Sequence, residues 1–215
     1  MKFVHLLDIA AKQPFFETGF LLAGAVDPDD VRRQLSRWVQ AGRVIQLRRG
    51  LYTLAAPYQQ NPTHPFLAAN ALLRGSYVSL QSALAFYGLI PEYAAQTLSV
   101  TTQRPARWRN SLGDFRFKHI APHLFYGYQQ VDLAIPNGQQ VFLALPEKAL
   151  LDLIHLTPDG DDPAYIAGLR LQNLERLDPD RLLALSRRAC KPKWLRAAER
   201  IAALIATEEA AYESL

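Results

Sequence analysis

A helical period that stops at a glycine and gives way to a two-residue period within twenty residues leaves few folds open. The stretch Val31 to Gly50, VRRQLSRWVQAGRVIQLRRG, has this form. In its first half Val31, Leu35, Trp38 and Val39 recur at i, i+4, i+7 and i+8, the spacing of one buried helix face. Arg33, Ser36, Arg37 and Gln40 fall on the opposite, solvent side. Ala41-Gly42 ends the helix, as a glycine past the last turn commonly does. RVIQLRRGLYTLA continues as two alternating apolar runs about Arg48-Arg49-Gly50, the pattern of a β-hairpin.

These twenty positions hold six arginines and no acid, while the whole chain has a formal net charge of only +4. The remainder is therefore slightly acidic, and such local basicity points to a dedicated surface for an anionic partner. A helix with a basic outer face, running into a hairpin with a basic tip, is the sequence pattern of a winged helix-turn-helix that binds double-stranded DNA. Arg33 and Arg37 are the candidates for guanine edges, because a guanidinium fork matches O6 and N7. Ser36 and Gln40 share that reading face. Arg43 is placed near the DNA backbone, Arg48 and Arg49 at the wing tip on phosphate or in a minor groove, and Arg32 on phosphate or in an ion pair within the domain. Asp27, Pro28, Asp29 and Asp30 make a good helix start. Their carboxylates repel phosphate, so base reading is expected beyond the first turn. A second basic cluster, Arg104, Arg107 and Arg109 around Trp108, reads as a loop and as a candidate secondary contact to DNA or to a partner protein.

The expected architecture is α+β: an N-terminal winged helix-turn-helix over residues 1–56, a proline-rich linker over 57–65, and a mixed domain over 66–215 with an antiparallel sheet, flanking helices and a helical C-terminal tail. In the first unit, helices are expected over Lys2 to Gln13 and over Phe16 to Gly24, the latter with Thr18 as N-cap. In the third, helices are expected at Pro65 to Leu73, from a Ser79 cap to Phe86, and from Pro146 to Leu156. Strands are expected at Ser76 to Val78, Thr97 to Thr102, Phe115 to Ile120, Tyr126 to Leu133 and Gln140 to Leu145, the last two joined through Asn137-Gly138. An apolar stripe of Leu195, Ala198, Ile201, Ala202 and Ile205 follows Trp194, and packing within its own domain is the simpler reading.

With one cysteine, Cys190, no intramolecular disulfide forms and a reducing compartment is expected. The opening MKFVHLLDIAAKQ fits neither a signal peptide nor a membrane span, so the expected location is cytoplasmic, without a membrane partner. No cofactor or metal is expected: His119 and His123 straddle Pro122 and lack the helical spacing of a chelating pair. Ser79, Ser82, His119 and Asp152 can be assembled into a hydrolytic triad on paper, but no nucleophile-elbow glycines surround either serine. No acid stands two positions before any lysine, as a metal-dependent nuclease core would need. The expectation is a protein that is not an enzyme, and Tyr87, Tyr93, Phe86 and Trp108 are expected in the core or at an interface.

SLQSALAFYGLIPE (79–92), TLSVTTQRP (97–105), FRFKHIAPHLFYGY (115–128), VFLALPEKALLDLIHL (141–156) and the hairpin's Arg49 to Tyr52 occur in an order that resembles the AbiEi-type antitoxin family, the abortive-infection transcriptional regulators of bacterial type IV toxin-antitoxin pairs. The resemblance spans roughly residues 3 to 156. It implies binding to the promoter of its own operon at repeated sites, repression of transcription, and antitoxin pairing with a nucleotidyltransferase-like toxin as antiviral defence. The alternative is a non-catalytic adaptor whose basic N-terminal module binds an acidic partner protein.

Overall fold

The computed structural model describes residues 2–22, 26–91, 95–135 and 138–213. The first part of the chain runs α1 (Phe3–Ala10), β1 (Phe16–Glu17), α2 (Thr18–Leu21), α3 (Pro28–Gln40), β2 (Val44–Arg48) and β3 (Leu51–Leu54). The strands form an antiparallel sheet in the order β1-β3-β2. Helix α3 begins and ends where local chemistry directs. The Asp27 carboxylate accepts the Asp29 amide at 2.8 Å, and Gly42 turns the chain at φ +66°. Val31, Leu35 and Trp38 are buried with Leu6, Ala10, Phe16, Leu21, Val44 and Leu54 in a core of their own. One boundary differs from expectation. Phe16 and Glu17 form a strand, and Thr18 is the first helical residue rather than the cap, because the Phe16 ring stacks on Tyr52 at 5.8 Å and β3 supplies a ladder. The expected Gly24 stop lies outside the described residues, as do Ala25, Tyr93 and Asn137.

The chain continues through α4 (Pro65–Leu72), β4 (Ser76–Val78), α5 (Leu80–Phe86), β5 (Thr97–Thr101), β6 (Ala106–Asn110), β7 (Gly113–His119), β8 (Tyr128–Leu133), β9 (Gln139–Ala144), α6 (Pro146–Leu156), α7 (Pro163–Gly168), α8 (Pro179–Ala189) and α9 (Pro192–Glu213). A six-stranded sheet has the order β6-β7-β5-β4-β9-β8. Antiparallel pairing holds for β4–β5, β6–β7 and β8–β9, whereas β5–β7 and β4–β9 are parallel. The larger sheet is thus mixed. Parallel neighbours need a crossover; β6 provides one, and the long excursion from β4 to β9 the other. The tail packs on its own domain: Trp194, Ala197, Ala198, Ile201 and Ile205 of α9 are buried. Among the described residues no helix is long and apolar enough to cross a membrane.

The segment 57–65 is bolted down on both sides. The Gln59 side-chain amide donates to the Thr53 hydroxyl at 2.6 Å and to the Pro14 carbonyl at 3.0 Å. Gln139 accepts the His64 amide at 2.9 Å and donates to Asn61 and Pro62. Leu47 and Leu51 of the β2–β3 hairpin join the larger core rather than the smaller one.

Within that larger core sits a closed ionic cluster. The Lys148 ammonium donates to the Asp152 carboxylate and, at 2.8 Å, to the Tyr77 hydroxyl, with both members of the ion pair fully buried. Asp152 also accepts from the hydroxyls of Ser79 at 2.8 Å and Tyr77 at 3.0 Å. Ser79 therefore spends its hydroxyl on Asp152 and makes no capping bond to α5, although it occupies the cap position. The rings of Trp194, Tyr77 and Tyr126 surround the ammonium at 5.1, 5.5 and 5.7 Å. Ser79 and Asp152 meet as the paper triad requires, but His119 does not join them; its Nδ1 lies 3.1 Å from the Gln103 carbonyl.

Candidate nucleic-acid interface

The outer face of α3 follows from its amphipathic spacing: Arg32, Arg33, Ser36, Arg37 and Gln40 are all exposed. The acidic first turn changes what two of them offer. Arg32 pairs with Asp29 at 2.9 Å, and Arg33 donates to Asp30. The hydrogen bond and charge of Asp30 raise the Arg33 pKa further above its ordinary value. Arg33, expected as a base reader, is thus ion-paired one turn from its own helix-starting acids. Exposed pairs of this kind are weak and exchangeable. Arg37 is different, since its guanidinium has no acidic partner among the described residues. Ser36, Arg37 and Gln40 lie within one turn, where i+3 and i+4 neighbours share a face.

At the hairpin the two arginines part company. Arg49 is exposed beside Gly50, whose φ of +80° makes the tight turn. Arg48 turns inward, its Nε donating to the Leu72 carbonyl at 3.0 Å and an Nη to the Ala71 carbonyl at 3.4 Å, with Glu17 3.8 Å away. A cation there satisfies the carbonyls that the end of α4 leaves open. Arg48 is therefore corrected from wing-tip contact to a clamp between the two halves; nothing in the local sequence links it to a helix end 24 residues away. A second tie joins Glu17 to Arg74 at 2.8 Å. Arg43 is exposed, its guanidinium 5.1 Å from the centre of the Phe3 ring.

Arg107 and Arg109 lie on strand β6 rather than in a loop; Arg104 precedes it. The register sets Arg107 opposite Arg116 and Arg109 opposite Asp114. These side chains share one sheet face, and alternation adds Lys118 to it. Trp108 takes the other face, edge-on to Phe117 at 5.2 Å. Asp114 accepts from Arg107 at 3.1 Å through Nε, again through Nη2, and from Arg109 at 3.2 Å. These bonds, that from Arg107 foremost, hold its carboxyl down at about 2, against an ordinary 3.8. The depressed value means that the linked stability is complete above pH 4 and lost as pH falls through about 2. A carbon-detected NMR titration should show this midpoint, and Arg107→Ala should raise it toward 3.8; a wild-type midpoint near 4 would refute the bidentate pairing. Arg116 and Lys118 were legible as the polar half of the alternating FRFKH, but their relation to Arg107 and Arg109 required the β6 pairing.

Among the described residues no three His, Cys, Asp or Glu side chains are grouped to hold a metal ion. The chain matches no protein-family model and no curated protein.

Proposed function

We propose that the chain is a DNA-binding transcriptional repressor whose N-terminal half works as a winged helix-turn-helix. In this reading α2 positions, α3 enters the major groove, and the β2–β3 hairpin is the wing. The observation that carries it is the exposed, acid-free row Ser36, Arg37 and Gln40 on α3, followed in the chain by exposed Arg43 and Arg49. The resemblance to AbiEi-type antitoxins extends the proposal to autoregulation of its own operon and neutralisation of a nucleotidyltransferase-like toxin in abortive infection. The second half then carries the antitoxin role without catalysis.

The test is a mobility-shift series with the DNA upstream of its own gene. Affinity should fall steeply with salt, because bound arginines displace counterions from phosphate. Arg37→Ala should lose about 1–3 kcal/mol on the operator, concentrated at one base position, while binding to random DNA changes little. Equal loss on both would place Arg37 on phosphate, and absence of salt-dependent duplex binding would favour the acidic-partner alternative. Co-expression with the adjacent toxin gene, where one is present, tests the antitoxin role through recovery of growth.

A further inference from the structure

Strand β8 is an outer edge of the six-stranded sheet, and among the described residues only β9 pairs with it. Natural sheets blunt such an edge with basic side chains, a proline or a bulge, because its open N–H and C=O groups accept another strand. The opposite edge, β6, carries Arg107 and Arg109 and is tied to the hairpin where the Asn110 side chain donates to the Leu47 carbonyl at 3.4 Å. The YQQVDL of β8 has no basic residue and no proline, and it pairs from Tyr128 opposite Ala144 to Leu133 opposite Gln139 without a bulge. Its one charge is Asp132, which is exposed. The direction of the open groups follows from the ladder. The Leu145 amide donates to the Gly127 carbonyl at 2.9 Å, while the Phe142 amide and carbonyl are taken by the Asn70 side chain at 2.7 and 3.4 Å. Bonding to β9 therefore falls to Gly127, Gln129, Val131 and Leu133, and alternation turns the backbone N–H and C=O of Tyr128, Gln130 and Asp132 outward. The side chains of these three share one face, held in place where the Tyr128 ring stacks on Tyr77 at 4.5 Å.

We infer that β8 pairs antiparallel with β8 of a second copy of this chain, about a two-fold axis through Gln130, joining the two sheets into one. The inference does not depend on the DNA-binding reading. In this register Gln130 faces the partner's Gln130, Tyr128 faces the partner's Asp132, and Asp132 faces the partner's Tyr128. All three pairs join outward-turned residues, so each exchanges two backbone hydrogen bonds, about six in all. A phenol donates to a carboxylate in two of the pairs. In the third, the Gln130 amide donates to Gln140 at 2.7 Å and keeps its own carbonyl oxygen and second N–H for its counterpart. A centre on Asp132 would set two carboxylates against each other, and a centre on Gln129 or Val131 would lose one of the three pairs. The strand is thus its own complement in charge and hydrogen bonding, which commits the edge to a second copy rather than to an unrelated strand. An interface of one strand edge is small, so the dimer is weak and concentration-dependent.

The experiment is sedimentation equilibrium with residue-resolved amide exchange on the full chain, without DNA, comparing wild type, Gln130→Pro, Gln130→Lys and Gln130→Glu. Wild type should dimerise reversibly in the micromolar range, and rising concentration should slow exchange at the amides of Tyr128, Gln130 and Asp132. Gln130→Pro removes an N–H that no bond within the sheet uses, so the monomer should keep its fold, which circular dichroism checks. Its dimer loses one hydrogen bond per copy and should weaken roughly ten- to a hundred-fold. Gln130→Lys and Gln130→Glu should each weaken the dimer, because like charges meet at the axis. An equimolar mixture of these two should restore it, a recovery that misfolded chains do not show. Wild type that stays monomeric at millimolar concentration overturns the inference, as does a dimer that Gln130→Pro leaves intact or a mixture that fails to recover. Tightening by Gln130→Lys alone would set that residue opposite Asp132 and overturn the register. A foreign peptide that protects the same three amides while the chain itself stays monomeric would assign the edge to another protein, and also overturns the inference.

Discussion

Lys148→Met is expected to destabilise the protein by about 3–5 kcal/mol, the cost of leaving a buried charge without its partner. Asp152 would keep the Tyr77 and Ser79 hydroxyls, but those neutral donors replace neither the ammonium nor its hydration. Burial lowers the Lys148 pKa, opposed by the charge of Asp152; burial, chiefly, raises that of Tyr77. The ion pair is therefore held against a desolvation cost by its geometry. Removing both charges as Lys148→Met/Asp152→Leu should recover much of the loss, since an apolar pair of similar volume is often neutral in such a site. Urea unfolding of both single variants and the double variant closes the cycle. Purely additive losses would show that the two charges do not depend on each other.

Trp194→Ala should cost a similar amount, about 3–5 kcal/mol, because it empties a fully buried site at the start of α9. For a chain of this length that corresponds to a fall of roughly 6–20 °C in melting temperature. The indole borders the ionic cluster, with His155 edge-on at 5.8 Å and the Lys148 ammonium above its ring. Its Nε1 is buried with no hydrogen-bond partner among the described residues. Trp194→Phe should accordingly be much milder, for it keeps an aromatic face and removes an unsatisfied donor. Differential scanning calorimetry distinguishes the two, and equal losses would mean that the site needs the indole itself and that a smaller aromatic ring does not fill it.

Legibility from sequence tracked the range of the interaction. Asp27, Pro28 and Gly42 act within a few residues, and the bounds of α3 were readable from them. The burial of Trp194, Ala198, Ile201 and Ile205 was likewise written in a helical stripe. Strands β1 and β6 were not readable, because two residues such as Phe16-Glu17, or an arginine-rich run such as Ala106 to Asn110, become strands only when β3 or β7 lies alongside. The parallel pairings of β4 and β5 have the same origin. At the candidate interface, the exposure of Arg37 followed from helix spacing, whereas Arg48 was misplaced because its partners are the open carbonyls of a distant helix. Arg33 stood between these cases: Asp30 at i−3 was visible, and the ion pair is its direct consequence. Ser79 looked like a cap because a cap needs only local sequence, while its actual partner Asp152 is supplied by another helix.

The ionic cluster also sets an order of events during synthesis. The Tyr77 hydroxyl must wait for Lys148 and Asp152, which follow it by 71 and 75 residues. At ribosomal speeds of about 5–20 residues per second, that is roughly 4–15 seconds. Through this interval β4 has its neighbour β5 to pair with, but neither β9 nor α6 has yet been made. The nascent second half therefore passes through a stage with one side of its central strand open, and it closes only when the lysine and aspartate arrive together on one helix.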